Sequence, residues 1–236
     1  MSLAFFYLST YHPGDDEITL DEDNSRHIVQ VLRMQKGQAL QLTDGYGRLL
    51  TATILDDHKK KCRVRIDNSQ LTPAREKHVT IAISLLKNTS RFEWFLEKAT
   101  EIGVSGIIPL LAHRTEKQHF RQDRMQSILV SALLQSQQTW LPVLHPPTPV
   151  MQVIGEAKQK QRLIAHCMED SVLRPLAEFH GLPDNNELLM LIGPEGDFTS
   201  DEIKAAVQKD FAPVSLGKNR LRTETAGIVA ATLLCI

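Results

Sequence analysis

The sequence lacks the features that mark several large classes of protein. Its three cysteines, Cys62, Cys167 and Cys235, are isolated and lack the CxxC spacing of a zinc site or a redox pair. None of its nine histidines forms an HxxxH pair. These absences argue against a disulfide framework and a metal site, and isolated thiols are typical of a reducing compartment. We therefore expect a cytoplasmic protein that binds no metal.

Long apolar runs and an excess of charge are also missing. No stretch approaches the roughly 20 apolar residues of a membrane helix. The apolar start, residues 1–12, has neither a basic leader nor a clear cleavage site. We therefore expect neither a membrane span nor a signal peptide. The formal net charge is −1, so a nucleic-acid partner would have to bind local basic clusters.

The first third of the chain is rich in strand patterns. Four short strands are predicted, at 17–20, 38–43, 48–55 and 62–66, and the Asp-Gly turn at 44–47 predicts a hairpin. One helix is predicted over 24–34, with Gly37 as its stop. Together these elements predict a small β-barrel. The polar segment 67–78, which contains Pro73, predicts a linker.

After that segment, strands and helices alternate. Strands are predicted at 79–86, 105–112, 162–166, 187–192 and 212–216, and helices include 120–138, one near 173–180 and 223–236. Two helix starts have capping-box spacing, Ser90 with Glu93 and Thr199 with Glu202. The alternation predicts a mostly parallel sheet covered by helices. We therefore expect two domains, 1–70 and 76–236.

Three loops are predicted at the carboxyl ends of parallel strands, where ligands usually bind. They follow the last three predicted strands, and we expect the final two strands to be neighbours because one helix separates them. Gly193, Gly196 and Gly217 would let the backbone approach a flat ligand, although glycine after a strand is also common punctuation. Neither glycine loop fits the Walker or GxGxxG pattern, which argues against a phosphate-cradling loop.

Two motifs in these loops occur together, "LIGPEGDFTSDEI" (191–203) and "VSLGKNRLRTETAG" (214–227). With the segments 25–54 and 85–116, they make the whole chain resemble the RsmE family, the 16S ribosomal RNA uridine-N3 methyltransferases of the SPOUT superfamily. The resemblance implies an α/β protein. Its small N-terminal PUA-like β-barrel would bind RNA, and its SPOUT domain would carry a deep C-terminal trefoil knot.

The same resemblance implies S-adenosylmethionine as cofactor, 16S ribosomal RNA of the small subunit as partner, and a homodimer with active sites at or near its interface. The matching positions would line the cofactor pocket: Ile192, Gly193, Pro194, Gly196, Leu216, Gly217 and Leu221. His166 ends a predicted strand and would border that pocket, although a purely structural histidine is the simpler interpretation.

Methylation at N3 of uracil requires loss of the N3 proton, which leaves negative charge on the neighbouring carbonyl oxygens. Arg222 is the first candidate to stabilise that charge. Glu195 and Glu224 are candidates for the base or for an orienting group. For Glu224, favourable placement at a helix N-terminus is an equally good explanation.

Contacts to RNA are expected from two basic clusters. Arg26, Arg33 and Arg48 would lie on the barrel, and Arg91 and Arg114 would lie beside the presumed pocket. The alternative is an ordinary solvated charged surface, since the first domain also contains many acidic residues.

Several positions differ from the usual family pattern. Asn219, Leu134 and Gln138 stand where an arginine, a glutamate and an arginine are common, and Asp197 stands where a second glycine is common. These departures motivate a second hypothesis, an RNA-binding relative that holds the cofactor without methylating the usual uridine.

Overall fold

The computed structural model describes residues 3–116, 119–168, 173–179 and 186–236. They form two compact units. The first unit holds the chain up to Ala74 together with Leu133–Leu141, and the second holds Arg75–Ala132 and Pro142–Ile236. Since Leu133–Leu141 lies far beyond the first predicted domain, two separate parts of the chain build the first unit.

A sheet of five strands forms the first unit: β1 (Phe5–Tyr7), β2 (Glu17–Thr19), β3 (Ala39–Thr43), β4 (Arg48–Asp56) and β5 (Arg63–Leu71). Their spatial order is β1-β3-β4-β5-β2. β1 is parallel to β3, and the other pairs are antiparallel. The predicted strands and hairpin are confirmed, and β1 is an addition that no pattern predicted. Closure of the sheet into a barrel stays a prediction.

Period-two alternation along β4 determines which of its side chains enter the core. Leu50, Ala52 and Ile54 are buried, while the residues between them are partly exposed. They pack with Ile28 and Val64 in one hydrophobic cluster. Opposite faces of a strand carry alternate side chains, so this pattern fixes the buried face of the sheet.

The helix predicted over 24–34 is two shorter elements. α1 (Glu22–Arg26) is capped by Asp21, whose side chain accepts a hydrogen bond from the backbone N–H of Asn24 at 2.8 Å. A π-helical turn, His27–Val31, follows directly.

The predicted helix stop at Gly37 is wrong. The helical turns end at Arg33, which has a left-handed φ of 55°. The N–H of Met34 then donates to the carbonyl of Ile28 at 3.0 Å and closes the turn. This hydrogen bond ends the helix before the chain reaches the glycine.

The predicted linker 67–78 is partly strand. β5 continues to Leu71 because β4 is long enough to pair with it as far as Arg48. The polar residues Asn68, Ser69 and Gln70 therefore pair with β4 in the sheet. Their composition alone does not predict this pairing.

The segment Leu133–Leu141 covers the hairpin turn between β3 and β4. The N–H of Gly47 donates to the carbonyl of Thr139 at 2.8 Å. A Cβ at Gly47 would lie 2.4 Å from the Trp140 ring, so glycine is required there. The indole N–H of Trp140 donates to the carbonyl of Thr72 at 3.2 Å. This late segment is therefore an integral part of the first unit.

The second unit is an α/β structure with a parallel sheet. Its strands are β6 (His78–Ser84), β7 (Gly106–Leu111), β8 (Val143–Leu144), β9 (Thr148–Pro149), β10 (Gln161–Ala165), β11 (Arg174–Pro175), β12 (Glu187–Ile192) and β13 (Ala212–Ser215). The order is β11-β13-β10-β12-β6-β7-β8, with β9 beside β7. All these pairings are parallel, which confirms the predicted sheet type.

The prediction that β12 and β13 are neighbours is wrong. β10, which precedes both in sequence, lies between them. Consecutive strands are often neighbours but not always. Here β10 pairs with both β12 and β13 and keeps them apart. The three strands β13, β10 and β12 nevertheless lie side by side.

Helices accompany these strands: α2 (Thr89–Ile102), α3 (Gln122–Gln135), α4 (Val150–Glu156), α5 (Ser200–Gln208) and α6 (Thr223–Cys235). The helix predicted near 173–180 is instead β11 followed by a 3₁₀ turn, Leu176–Phe179. Residue 180 lies outside the described residues.

One of the two predicted capping boxes forms. Thr199 and Glu202 exchange side-chain-to-backbone hydrogen bonds, at 2.7 Å and 3.2 Å, and start α5. The box predicted at Ser90 is wrong. Asn88 has the extended backbone of an N-cap, and its side chain accepts from the N–H of Ser90 at 2.9 Å. The helix therefore begins one residue before Ser90.

The last helix packs tightly against the sheet. A Cβ at Gly227 of α6 would lie 2.6 Å from the ring of Phe95 on α2 and 2.8 Å from Ile83 on β6. Small residues on α6 thus let it approach both elements closely. The hydrogen bond from the Thr223 hydroxyl to the carbonyl of Gly193, at 3.0 Å, places the start of α6 beside the end of β12.

Candidate functional site

Three loops meet at the carboxyl edge of the parallel sheet, after β13, β10 and β12. They enclose a cleft of about 750 Å³, within the size range of small-ligand sites. Three groups of residues line the cleft. The first group is Ala165, His166, Cys167 and Leu173. The second group is Ile192, Gly193, Pro194, Glu195 and Asp197. The third is Val214 to Thr223, with Ala226. The structure therefore brings together all three loops that the sequence singled out.

Gly193 joins the end of β12 to the start of α6. Its carbonyl accepts a hydrogen bond from the Thr223 hydroxyl at 3.0 Å. A Cβ on Gly193 would lie 3.1 Å from the ring of Phe198 and 3.2 Å from its backbone nitrogen. The absence of a side chain on Gly193 lets the chain fold back over Phe198.

The loop after β13 is more open. Gly217 has a φ of 125°, and a Cβ there would meet nothing within 4 Å. Glycine is needed for its backbone conformation, since few L residues adopt that angle. Arg220 reaches the β12 loop, where its guanidinium donates to the carbonyl of Glu195 at 3.4 Å.

Asp197 ties the β12 loop to the β10 loop. It has a left-handed φ of 65°. Its carboxylate accepts hydrogen bonds from the N–H groups of Cys167 and Phe198, both at 2.8 Å. Sequence patterns predicted no such role for Asp197, which stands where a second glycine is common. An aspartate at a glycine-preferring turn position was the available signal, because Asp tolerates that conformation and bonds nearby backbone.

His166 lies at the end of β10 and is 5% exposed. Its Nδ1 accepts from the N–H of Met168 at 3.3 Å, so the ring proton of the neutral form is on Nε2. That nitrogen has no hydrogen-bond partner within the described residues. Burial lowers the pKa of His166, and the nearby Asp197 carboxylate partly opposes this shift. A neutral imidazole therefore borders the cleft.

Two of the three candidate catalytic residues line the cleft. Arg222 is exposed at the N-cap position of α6 and makes no side-chain cap hydrogen bond. Its guanidinium has no partner in the part of the chain that the structure describes. Glu195 is also exposed at the cleft. Both groups are thus free to meet a ligand.

The third candidate, Glu224, is buried with 7% exposure and is not among the described residues that line the cleft. Its carboxylate lies 3.6 Å from Nε of Arg91. Gly196 also lies outside the described lining, and its carbonyl accepts from the Arg114 guanidinium at 2.5 Å. Arg91 and Arg114 therefore each have a partner within the second unit.

In the first unit, two of the predicted RNA-binding arginines are paired with acids. Arg26 lies 2.7 Å from Glu22, and Arg48 lies 3.8 Å from Asp44. Arg33 has no ion-pair partner among the described residues. Of these three arginines, Arg33 is therefore the one without an ion-pair partner among the described residues.

No group of three or more His, Cys, Asp or Glu side chains within the described residues could hold a metal ion. No helix in the described ranges has both the length and the apolar character to cross a membrane.

Comparison with known families matches two regions of the chain. Residues 73–235 match the family description "RNA methyltransferase domain", and residues 20–67 match "RNA methyltransferase PUA domain". Ribosomal RNA small subunit methyltransferase E of Synechocystis is 32% identical over 90% of this chain and 71% of its own. The chain belongs to the ribosomal RNA small subunit methyltransferase E family. This confirms the resemblance to the RsmE family.

Solved structures agree with that membership. A probable rRNA methyltransferase from Porphyromonas gingivalis is 38% identical, with a TM-score of 0.89 over 97% of this chain and 95% of that one. The family enzyme from Neisseria gonorrhoeae, solved with S-adenosyl methionine bound, is 26% identical, with a TM-score of 0.84 over 97% and 95%. The α/β fold and the PUA domain are therefore shared with RNA methyltransferases.

The departures from the usual RsmE pattern fall in different places. Asn219 lines the cleft, between Lys218 and Arg220 in the sequence. Leu134 and Gln138 belong to the segment that completes the first unit, and neither is among the described residues that line the cleft. Asp197 replaces a glycine but supplies the tether between two cleft loops.

Proposed function

We propose that this protein transfers a methyl group from S-adenosylmethionine to N3 of a uridine in 16S ribosomal RNA. One observation carries the proposal: three loops of a family methyltransferase domain converge on a single cleft with exposed backbone and an unpaired arginine. The names of the relatives add the substrate, ribosomal RNA of the small subunit.

The cleft has the size and the accessible backbone to receive S-adenosylmethionine, whose adenine is flat. Its volume of about 750 Å³ suits a cofactor of this size, and Gly193 and Gly217 leave backbone accessible. Bound there, S-adenosylmethionine supplies a methyl group activated by its sulfonium. The residues proposed to hold it are His166, Ile192, Gly193, Pro194, Leu216, Gly217 and Leu221. Gly196 is assigned a supporting role, through the bond that Arg114 makes to its carbonyl.

Arg222 is the proposed stabiliser of the reacting base. Deprotonated uracil carries negative charge on its carbonyl oxygens, and an unpaired guanidinium at a helix N-terminus attracts such charge. The N-cap position of Arg222 orients it at the cleft while α6 anchors its backbone. The target uridine must leave its stack to reach this position.

The two carboxylates receive different roles. Glu195 lines the cleft and is the proposed base or orienting group for the N3 proton. Glu224 is buried beside Arg91, so we assign it to holding the start of α6, which positions Arg222. Arg91 would then act through this pair, and its proposed RNA contact would use the remaining face of its guanidinium.

A homodimer with active sites near its interface remains part of the proposal. The support is an exposed aromatic side chain on α2. Trp94 is 44% exposed, and aromatic residues are enriched at protein–protein interfaces. Light scattering on the purified protein, compared with a Trp94→Ser variant, tests this assembly.

We also propose the trefoil knot. After β13 the chain passes the β12 loop, where Thr223 contacts Gly193, and α6 then packs on β6 and α2 beyond β12. Such a path is compatible with a threaded end. Stretching single molecules tests it, because a knotted chain reaches a shorter final length than an unknotted chain of the same size.

The decisive experiment uses labelled S-adenosylmethionine and small subunits from a strain that lacks the family enzyme. The expected result is label recovered as N3-methyluridine. Tight cofactor binding with no label in RNA would instead favour an RNA-binding relative without this activity. Asn219 is the observation behind that second function, since it replaces an arginine inside the cleft.

A further inference from the structure

A buried carboxylate joins the β12 loop to a loop that does not line the cleft. Glu202 is 5% exposed, and it starts α5 through its capping box with Thr199. Its Oε1 also accepts a hydrogen bond from the backbone N–H of His113 at 2.8 Å. A capping box uses only residues at its own helix start, whereas His113 lies 89 positions earlier, after β7. The capping role therefore does not explain this contact.

The two carboxylate oxygens of Glu202 make different contacts. Oε2 accepts hydrogen bonds from the N–H and the hydroxyl of Thr199, at 2.7 Å and 3.0 Å. Oε1 accepts from His113. Because a carboxylate accepts at both oxygens, one side chain holds the start of α5 and the distant loop together. The three hydrogen bonds also compensate for the burial of its polar group.

The loop that donates the bond to Oε1, residues 112–116, is held at the end of β7. We call it the β7 loop. The Thr115 hydroxyl accepts from the N–H of Ala112 at 2.9 Å and lies 2.8 Å from the hydroxyl of Ser84, the last residue of β6. Ser84 and Thr115 are both buried. Satisfied buried polar groups make a structure rigid, so the β7 loop is a fixed base for its neighbours.

Arg114 makes a second connection from the β7 loop to the β12 loop. Its guanidinium donates to the carbonyl of Gly196 at 2.5 Å. A Cβ on Gly196 would lie 3.2 Å from Cδ of Arg114, so the missing side chain lets the arginine lie against the loop. The β12 loop is thus held at Gly196 by Arg114 and, just after its end, by Glu202.

The segment held in this way forms one wall of the cleft. Pro194, Glu195 and Asp197 line the cleft, whereas no β7-loop residue is among the described lining residues. We propose that Glu202 and Arg114 are positioning residues for cofactor binding, which fix the β12 loop to the β7 loop; this inference rests on the proposed function. Both act from outside the cleft. A loop that is already held in its binding conformation loses less freedom when the ligand binds.

A purely local role for Glu202, the start of α5, predicts a different result. Under that role, any change that weakens α5 to the same extent would affect the cleft equally. Because the two oxygens have different partners, a substitution can separate the two roles. The separation needs a variant that keeps the cap and loses the bond to His113.

Glu202→Gln is that variant. Its single amide oxygen should take the Oε2 position, where it accepts two hydrogen bonds from Thr199. The amide NH₂ then faces the N–H of His113, and two donors cannot bond to each other. We expect the affinity for S-adenosylmethionine, measured by calorimetry without RNA, to fall about 3- to 30-fold.

Ala206→Gly is the control for helix stability. Ala206 lies in α5 and is fully buried, and glycine weakens a helix without touching either oxygen of Glu202. Its thermal midpoint should fall, while cofactor affinity stays close to that of wild type. In methyl-transfer assays, Glu202→Gln should raise KM for the cofactor and leave KM for RNA unchanged.

Arg114→Ala tests the second connection. Arg114 is exposed at the surface, so this variant should fold even if Glu202→Gln does not. It should also weaken cofactor binding, because the carbonyl of Gly196 loses its donor. Since affinity is measured without RNA, a separate contact of Arg114 with RNA does not enter the result.

Hydrogen exchange tests the fixing of the loop without any ligand. The N–H of Asp197 donates to the carbonyl of Pro194 at 2.9 Å, and its exchange reports on the β12 loop. Exchange at Asp197 should become faster in Glu202→Gln and Arg114→Ala but not in Ala206→Gly. If wild type binds no S-adenosylmethionine, the proposed function fails, and exchange alone decides whether these residues fix the loop.

Two results would overturn the proposal. One is wild-type cofactor affinity in both Glu202→Gln and Arg114→Ala, or exchange at Asp197 that changes in neither. The other is an equal loss of affinity in Ala206→Gly at the same thermal midpoint, which would assign Glu202 to helix stability alone.

Discussion

The cleft is bounded by two glycine-containing loops of opposite character. The braced loop, residues 193–199, is held by hydrogen bonds from Thr223 and Arg114 and by the Asp197 tether. The open loop, residues 216–222, exposes most of its side chains and leaves Arg222 unpaired within the described chain. Rigid sites hold ligands in fixed geometry, whereas exposed loops meet large substrates. We therefore expect the braced loop to hold the cofactor in place, together with Leu216, Gly217 and Leu221 of the open loop, and Arg222 of the open loop to meet the uracil ring.

Replacing Arg222 on the open loop should have the largest effect. Arg222→Ala removes the group proposed to stabilise charge on the base, so turnover should fall roughly 10²- to 10³-fold. Cofactor affinity, measured by calorimetry, should change little. Lys218→Ala, an exposed cation on the same loop, is the control and should cost much less. Equal losses in turnover and cofactor affinity would move Arg222 to the cofactor site.

A side chain added to the braced loop should come next. In Gly193→Ala the new Cβ would lie 3.1 Å from Phe198, so the loop must shift. We expect a loss of about 1–3 kcal/mol in unfolding free energy together with weaker cofactor binding. Gly155→Ala on α4, where a Cβ meets nothing within 4 Å, should be neutral or stabilising by up to about 1 kcal/mol. Similar outcomes for both variants would contradict the distinction between the loops.

The Asp197 tether should have an intermediate effect. Asp197→Gly relieves the positive φ but removes two hydrogen bonds, each worth about 1 kcal/mol net. Asp197→Asn keeps an acceptor oxygen. Cofactor affinity should therefore rank wild type, then Asn, then Gly, while the thermal midpoint follows no such order. Wild-type affinity in both variants would show that the tether does not shape the cleft.

The smallest expected effect concerns pH. Burial lowers the pKa of His166, so below about pH 6.5 the unfolded chain takes up a proton that the folded chain resists. This contribution to stability is complete above that pH and declines as the pH falls. The pKa of His145 is lowered in the same way. His166→Gln and His145→Gln should each reduce the loss of thermal midpoint on acidification. If the thermal midpoint of the His166→Gln variant fell with pH as steeply as that of wild type, His166 would not contribute to the loss of stability at low pH.

Local patterns predicted local structure well. The Thr199–Glu202 box formed because both of its hydrogen bonds join residues three apart, and β12 matches its apolar run from Glu187 to Ile192. Errors arose where a competing local group won. Asn88 took the cap expected at Ser90, and Arg33 ended a helix before Gly37.

The order of the strands in the sheet and the contacts between distant residues were harder to predict from the sequence. The position of β10 between β12 and β13 depends on the whole sheet, so no residue pattern announces it. The tether from Asp197 to Cys167 spans two loops whose adjacency follows from that order. In the candidate site, the glycines and Arg222 could be singled out by type, whereas the pairing of Glu224 with Arg91 required the packed helices.

The placement of Trp140 over Gly47 has a consequence for the timing of folding during synthesis. The first unit cannot be complete when its five strands have left the ribosome, because the carbonyl of Thr139 and the indole ring have yet to be made. The hairpin turn between β3 and β4 therefore stays partly uncovered while α2 and β7 emerge from the ribosome. The nascent chain therefore completes its first unit only after Arg75–Ala132 of the second unit has been translated.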